Sequence, residues 1–216
     1  MPHHAASKAG EAPHTAGKTI RWARWYDLAT WLMTLGREPA IRRRTVERAA
    51  IREGESVLDV GCGTGSLTLA AKRGAGGGDV RGIDASPEMI EVARQKAAKR
   101  GADVEFNVAL IEDLPFPDGS FDVVLSSLML HHLPDDLKRK GFAEIHRVLK
   151  PGGRLFAVDL AGSKGVLGTL MRLIGHKLEA DYMERLKGMA LEAGFGGVET
   201  APFDGRLGYV RGTKSG

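Results

Sequence analysis

The chain has 216 residues, 43% of them hydrophobic, with 31 Lys+Arg against 27 Asp+Glu and a net charge of +4. That is apolar material enough for a full core in one domain plus an appendage, while the small, interspersed basic excess gives only a weak hint of anionic partners. The single cysteine, Cys62, excludes an internal disulfide. No run of roughly eighteen apolar residues offers a membrane span or a signal sequence, so a cytoplasmic location is expected.

Residues 1–18 are small and helix-breaking, with His3, His4 and His14 scattered among Ala, Gly and Pro; they predict a solvated, unstructured tail. From Ile20 to Leu35 the spacing of Trp22, Trp25, Tyr26, Ala29, Leu32 and Met33 predicts a helix, with a second apolar strip at Leu28, Trp31 and Leu35. A helix apolar on two sides wants two partners. A second helix is expected over Ala40–Arg52, its run Arg42, Arg43, Arg44 forming a solvated face. From Glu55 the chain alternates β-branched strands with helices, the pattern of a parallel sheet covered on both faces. Strands are expected at 56–60, 80–84, 104–109, 121–127 and 154–160, and helices near 66–73, 87–100, 135–149 and 181–193. Ser86 can cap the helix that Pro87 opens, and Lys150, Pro151, Gly152 and Gly153 mark a stop before the fifth strand. The segments "VETAPF" and "LGYVRG" around Asp204, Gly205 and Arg206 predict a closing antiparallel hairpin.

The chemistry centres on "VLDVGCGTGS" at 57–66. Gly61, Gly63 and Gly65 allow a tight turn in which the backbone approaches a ligand, and the helix start that follows offers N–H groups. A dinucleotide fingerprint would put its third glycine or an alanine at position 66, where Ser66 stands, and no Gly-Lys-Ser/Thr follows to make a triphosphate loop. Asp59, two residues before Gly61, would repel a pyrophosphate and suits an ammonium group. Asp84 closes the second strand 19 residues beyond Gly65, where a carboxylate accepts ribose hydroxyls. A nucleoside without phosphates but with an amino-acid tail meets all of these conditions.

Together, "VLDVGCGTG", "GIDASPEMIEVAR", "EDLPFPDGSFDVVLSSLMLHHL" and "EIHRVLKPGGRLFAVDL" resemble the class I S-adenosylmethionine-dependent methyltransferases, in the group that includes small-molecule, quinone and phospholipid methyltransferases. The likeness is close from Glu55 to Leu160 and loose beyond. It implies a Rossmann-like, doubly wound, mostly parallel seven-stranded sheet with the antiparallel hairpin at its C-terminal end, spanning 53–216, under a helical lid at 19–52. It also implies S-adenosylmethionine as cofactor: Asp59 and the backbone of Gly61, Cys62, Gly63 and Gly65 at the methionine end, Asp84 on the ribose, Ala85 and Met89 beside the adenine. Ser127 joins this set, the Ile111 N–H meets the adenine ring, and Tyr26, in a "YD" pair, lies on a helix that closes over the cofactor. Leu110 departs from the pattern, because the family commonly has an aspartate there that accepts from the adenine amino group.

Each of these residues also has a structural reading. Asp59 could cap backbone N–H groups; Cys62 could simply fill the small space between two glycines; Tyr26 could be a core aromatic. His131 and His132 follow the fourth strand, where one could accept a proton from an incoming acceptor, or they could cap the next helix or line the methionine pocket. Asp159, ending the fifth strand, is a pocket acid or a turn cap. No metal is called for. The stretch "SSLMLHH" lacks the Asn/Asp-Pro-Pro-aromatic element of the enzymes that methylate nucleobase amines, and no basic stripe with interleaved aromatics is present, so nucleic acid is an unlikely substrate. Ile20–Arg52 and Ala161–Ala180 are apolar with basic residues beside them. They suit a small hydrophobic or lipid-like acceptor, or a peripheral contact with an acidic membrane face, with a phospholipid (ethanolamine) N-methyltransferase as the alternative. An NAD(P)-binding oxidoreductase and a non-catalytic cofactor-binding module are the readings from other classes. The acceptor and the oligomeric state stay open.

Overall fold

The computed structural model describes residues 37–161 and 181–216. The expected tail at 1–18, the helix at 20–35 with Tyr26, and most of the segment after the fifth strand lie outside the described residues. The described chain runs α1 (Glu38–Arg48), β1 (Val57–Val60), α2 (Ser66–Ala75), β2 (Val80–Asp84), α3 (Pro87–Lys99), β3 (Glu105–Val108) and β4 (Phe121–Ser127). A 3-10 turn (Leu130–His132) follows, then α4 (Asp135–Val148), β5 (Leu149–Leu160), α5 (Tyr182–Glu192), β6 (Phe195–Asp204) and β7 (Leu207–Lys214). The strands form one seven-stranded sheet in the order β3-β2-β1-β4-β5-β7-β6. Strands β1 to β5 pair in parallel, and β7 pairs antiparallel with both β5 and β6.

Strand periodicity distributes the core. On one face Leu58, Val60, Val124, Leu155 and Ala157 pack with Phe142, Ile145 and Val148 of α4 and Leu186, Met189 and Ala190 of α5. On the other, Val57, Val123, Leu125, Phe156 and Val158 pack with Ile41 of α1 and Leu67, Ala71 and Ala75 of α2. Both faces of the sheet are covered, which is why its strands are near-continuous apolar runs. Because side chains alternate, Asp59 takes the α1/α2 side with Val57, whereas Asp159 takes the α4/α5 side with Leu155 and Ala157.

Three boundaries differ from expectation. The second helix starts earlier, at Glu38 with Pro39 in its first turn, and ends at Arg48, because Ala50 turns into positive φ (50°). Helix α4 does stop at Val148, but Lys150 to Gly153 do not precede the fifth strand; they belong to it. Leu149 pairs with Phe121, the register then shifts, and Gly152 (φ 78°) absorbs the irregularity before Arg154 meets Val123. Strand β6 reaches back to Phe195 through a shift near Gly196. Ser86 caps α3 as expected, its Oγ accepting from Met89 N–H at 3.3 Å.

Candidate cofactor and acceptor site

The carboxyl ends of the parallel strands form one edge of the sheet, the usual ligand edge of open α/β folds. At the end of β1, Asp59 is 1% exposed. Its Oδ2 accepts from Thr68 Oγ1 on α2 at 2.7 Å, while its Oδ1, equally buried, has no hydrogen-bond partner among the described residues. Burial pushes the Asp59 carboxyl up to about 6, with the Thr68 hydroxyl and the charge of Arg42 pulling back. A buried carboxylate oxygen without a donor is costly, and a cationic N–H donor is the group that relieves it best.

The glycine loop is pinned from the next strand. Gly61 and Cys62 N–H both donate to Ile83 O at 2.9 Å, and Gly63 N–H donates to Asp84 Oδ2 at 2.9 Å. At Gly61 (φ 72°) a Cβ would lie 2.3 Å from Met129 Cγ, so only glycine allows this approach. Asp84 Oδ1 accepts from Ser86 N–H at 2.9 Å. Asp84 thus ties the β1–α2 loop to the β2–α3 turn, a role that sequence reasoning missed. Burial raises its pKa, opposed by those two N–H groups. A carboxylate has about four acceptor directions, so hydroxyl donors can still be taken. Ala85 is half-buried and Met89 buried beside this turn. Lys96 of α3, also missed, donates to Thr64 Oγ1 at 2.8 Å and Ser66 Oγ at 3.3 Å and braces the loop from behind.

Cys62 keeps its place in the loop, but its thiol is turned into a cluster with Leu69, Ala93 and Phe106. Burial, then the charges of Asp59 and Asp84, push its pKa well above the usual thiol value, so it is no nucleophile. Leu110 forms an isolated bridge with Asp113, and Ala109 N–H donates to Asp84 O at 3.1 Å, bringing this loop to the end of β2. The Ile111 side chain packs over Gly141 of α4. Arg147 holds the rest of the loop through the carbonyls of Leu114 (2.9 Å) and Phe116 (2.8 Å).

At the ends of β4 and β5 the geometry is different. Ser127 closes β4 opposite Val158, and Leu128 follows at φ 56°, the left-handed region that a leucine rarely occupies. Leu128 N–H donates to Val158 O at 2.8 Å, and the turn sets Met129 on Gly61 and opens the 3-10 turn. Asp159, 1% exposed, accepts from the backbone N–H groups of His131 at 3.0 Å and Leu160 at 2.7 Å, and its Oδ1 lies 2.6 Å from His131 Nδ1. The His132 ring lies 3.9 Å from that of His131, centroid to centroid, tilted by 45°. From α5 the buried Tyr182 hydroxyl, without a hydrogen bond of its own among the described residues, faces the same carboxylate. Burial, followed by the charges of Asp159 and Asp135, holds the phenol far above its ordinary pKa. Asp159 and Tyr182 complete a cluster in which a carboxylate holds His131 at its ring nitrogen.

Known proteins bear on this geometry. A family profile described as "Methyltransferase domain" matches residues 57–153. The demethylmenaquinone methyltransferase of Thermus thermophilus is 39% identical over 149 residues, 68% of this chain and 67% of that protein. The ubiquinone/menaquinone biosynthesis C-methyltransferase UbiE of Proteus mirabilis is 34% identical over 211 residues, 84% of this chain and 82% of that protein. Of two further curated relatives the chain spans 41% and 55%. A solved S-adenosylmethionine-dependent methyltransferase from Aquifex aeolicus superposes with a TM-score of 0.64 at 22% identity, covering 80% of this chain and 89% of that one, a likeness of fold.

Proposed function

The chain belongs to the class I S-adenosylmethionine-dependent methyltransferases, and from that premise we propose that it methylates a small apolar acceptor of the quinol type. S-adenosylmethionine is its methyl donor, and when bound it supplies an electrophilic methyl group on a sulfonium centre. The residues fit such a molecule. Asp59 Oδ1, buried and lacking a donor, would take the ammonium group, and Asp84 the ribose hydroxyls. The backbone of Gly61, Cys62, Gly63 and Gly65, with Ser127, would line the methionine end. Ala85, Met89, Leu110 and the Ile111 N–H would border the adenine, and Tyr26, on the helical lid at 19–52, would cover it. The same buried Asp59 opposes a pyrophosphate, which counts against a dinucleotide.

The observation that carries the acceptor reading is His131 held through Nδ1 by Asp159 at 2.6 Å. That hold leaves Nε2 to receive a proton from a ring hydroxyl, which pushes electron density into the ring and makes it nucleophilic. The names of the Thermus and Proteus relatives support a quinol ring as the acceptor. His132, its ring tilted against that of His131, would line the acceptor side. Among the described residues no helix is long and apolar enough to cross a membrane. The apolar, basic segments at 20–52 and 161–180 would provide the contact with an apolar acceptor.

The test is transfer of label from methyl-labelled S-adenosylmethionine to demethylmenaquinol in detergent micelles, with phosphatidylethanolamine vesicles in parallel. Label in the quinol product, reduced at least about 100-fold by His131→Ala, is expected. Label in phosphatidylethanolamine alone would replace this reading with the phospholipid one.

A further inference from the structure

We propose that Asp159 is a positioning residue that fixes the tautomer of His131, and that this restricts the enzyme to acceptors that must lose a proton during transfer. The inference rests on the methyltransferase reading and on His131 as proton acceptor, and it adds the device that makes the histidine work in one direction.

The argument starts from donor count. An ionised carboxylate only accepts. Asp159 Oδ1 lies 2.6 Å from His131 Nδ1 and 2.7 Å from Leu160 N, so the short contact to the ring requires the proton to be on Nδ1. The ring's lone pair is then on Nε2. Oδ2 takes the backbone N–H of the same histidine at 3.0 Å, so main chain and ring are held by one side chain, and neither can turn without breaking a contact. The Asp159 side chain is 1% exposed, which strengthens both contacts, while the His131 ring keeps 13% of its surface exposed and can be reached.

Among the described residues, the hydrogen bond at Nδ1 is the one to Asp159. His132 packs on the ring face from the same turn. Tyr182 approaches the carboxylate from α5. Behind it Lys138 of α4 lies 5.1 Å from the Tyr182 ring centre, and Lys138 and Arg185 are both engaged by Asp135. The carboxylate in contact with the imidazole is Asp159 alone among the described residues.

The step balances as follows. The acceptor O–H bond breaks, its proton passing to His131 Nε2 and its electron pair entering the ring, whose carbon forms the C–CH3 bond; that carbon then passes its own proton through water to the oxygen, which restores the aromatic quinol. The pair of the S–CH3 bond goes to sulfur, leaving S-adenosylhomocysteine. The resulting imidazolium sits against the ionised Asp159 until it returns its proton to water. A thioether or tertiary amine, having no proton to give, gains nothing from this pair.

The first measurement needs neither substrate nor variant. In protein labelled with nitrogen-15 at histidine, the two-bond correlations of the His131 ring at pH 8 should place the proton on Nδ1; a proton on Nε2 overturns the proposal. The second uses Asp159→Asn, whose amide can present its NH2 to Nδ1 and drive the proton to Nε2. That variant should show the reversed ring pattern, bind S-adenosylhomocysteine within about twofold of wild type, and lose about 100-fold or more in kcat with little change in acceptor KM. A wild-type ring pattern or undiminished kcat in the variant overturns the proposal. Failure of the wild-type protein to bind S-adenosylhomocysteine would instead overturn the cofactor assignment, so the two failures are told apart.

Discussion

Two buried aspartates end neighbouring parts of the same sheet, and they are in opposite states. Asp59, on β1, faces α2 with one oxygen satisfied by Thr68 and the other by nothing among the described residues. Asp159, on β5, faces α5 with two backbone N–H donors and the His131 ring nitrogen against it. Equal burial therefore says little about role. A carboxylate left short of donors is matched to a ligand that brings one, whereas a carboxylate already satisfied is matched to the side chain it holds.

Neutralising each acid should separate them. Asp59→Asn should weaken binding of S-adenosylhomocysteine at least about 100-fold by calorimetry, because the ammonium loses a buried charge partner worth about 3 kcal/mol. The same change should stabilise the ligand-free protein. Asp59 titrates near 6 when folded against an ordinary 3.8, so the folded state holds its proton more tightly than the unfolded one. Stability from this group is full below about pH 4, falls as pH rises to about 6 and is flat above, a loss of about 3 kcal/mol that the asparagine variant should not show in urea midpoints. Wild-type affinity for S-adenosylhomocysteine should run the other way and rise through pH 6. Asp159→Asn, by contrast, should cost the ligand-free protein about 1 kcal/mol through one lost hydrogen bond. Equal shifts in both variants would break the distinction.

Met129 mechanically joins the two halves, and Gly61→Ala should expose that link by costing about 1–3 kcal/mol through overpacking. Adding Met129→Ala should recover part of the loss in a double-mutant cycle; strict additivity would show that the halves are not coupled there. The smallest effect belongs to the adenine edge. Leu110→Asp should tighten cofactor binding by about 1 kcal/mol, and calorimetry showing unchanged or weaker binding would remove Leu110 from the site.

The β1–β2 half of the candidate site was far more legible than the β4–β5 half, for a physical reason. The order strand, acid, glycines, helix start is local, so Asp59, Gly61, Gly63 and Gly65 declare themselves within a dozen letters. Asp84 was legible as a strand-ending acid but not as the anchor of Gly63, since that contact spans 21 residues and needs β1 beside β2. His131 and Asp159 were each visible at a strand end; what joins them is the β4–β5 register that sets Ser127 opposite Val158, which no local pattern encodes. Leu128 gave no signal at all, because its left-handed backbone is imposed on a residue that does not favour it. The segment Lys150–Gly153 misled for the converse reason: a proline and two glycines that end a helix are also what a strand irregularity requires.

The position of β7 bears on how the molecule is made. This strand leaves the ribosome after β6, yet it lies between β5 and β6, so β6 has no neighbour in the sheet until β7 arrives. The pairing that reaches the tip of β5 sets Asp159 against Gly208. A nascent chain can therefore pair β1 through β5 early in translation, while the edge of β5 beside Asp159 stays open to unwanted partners until β7 covers it.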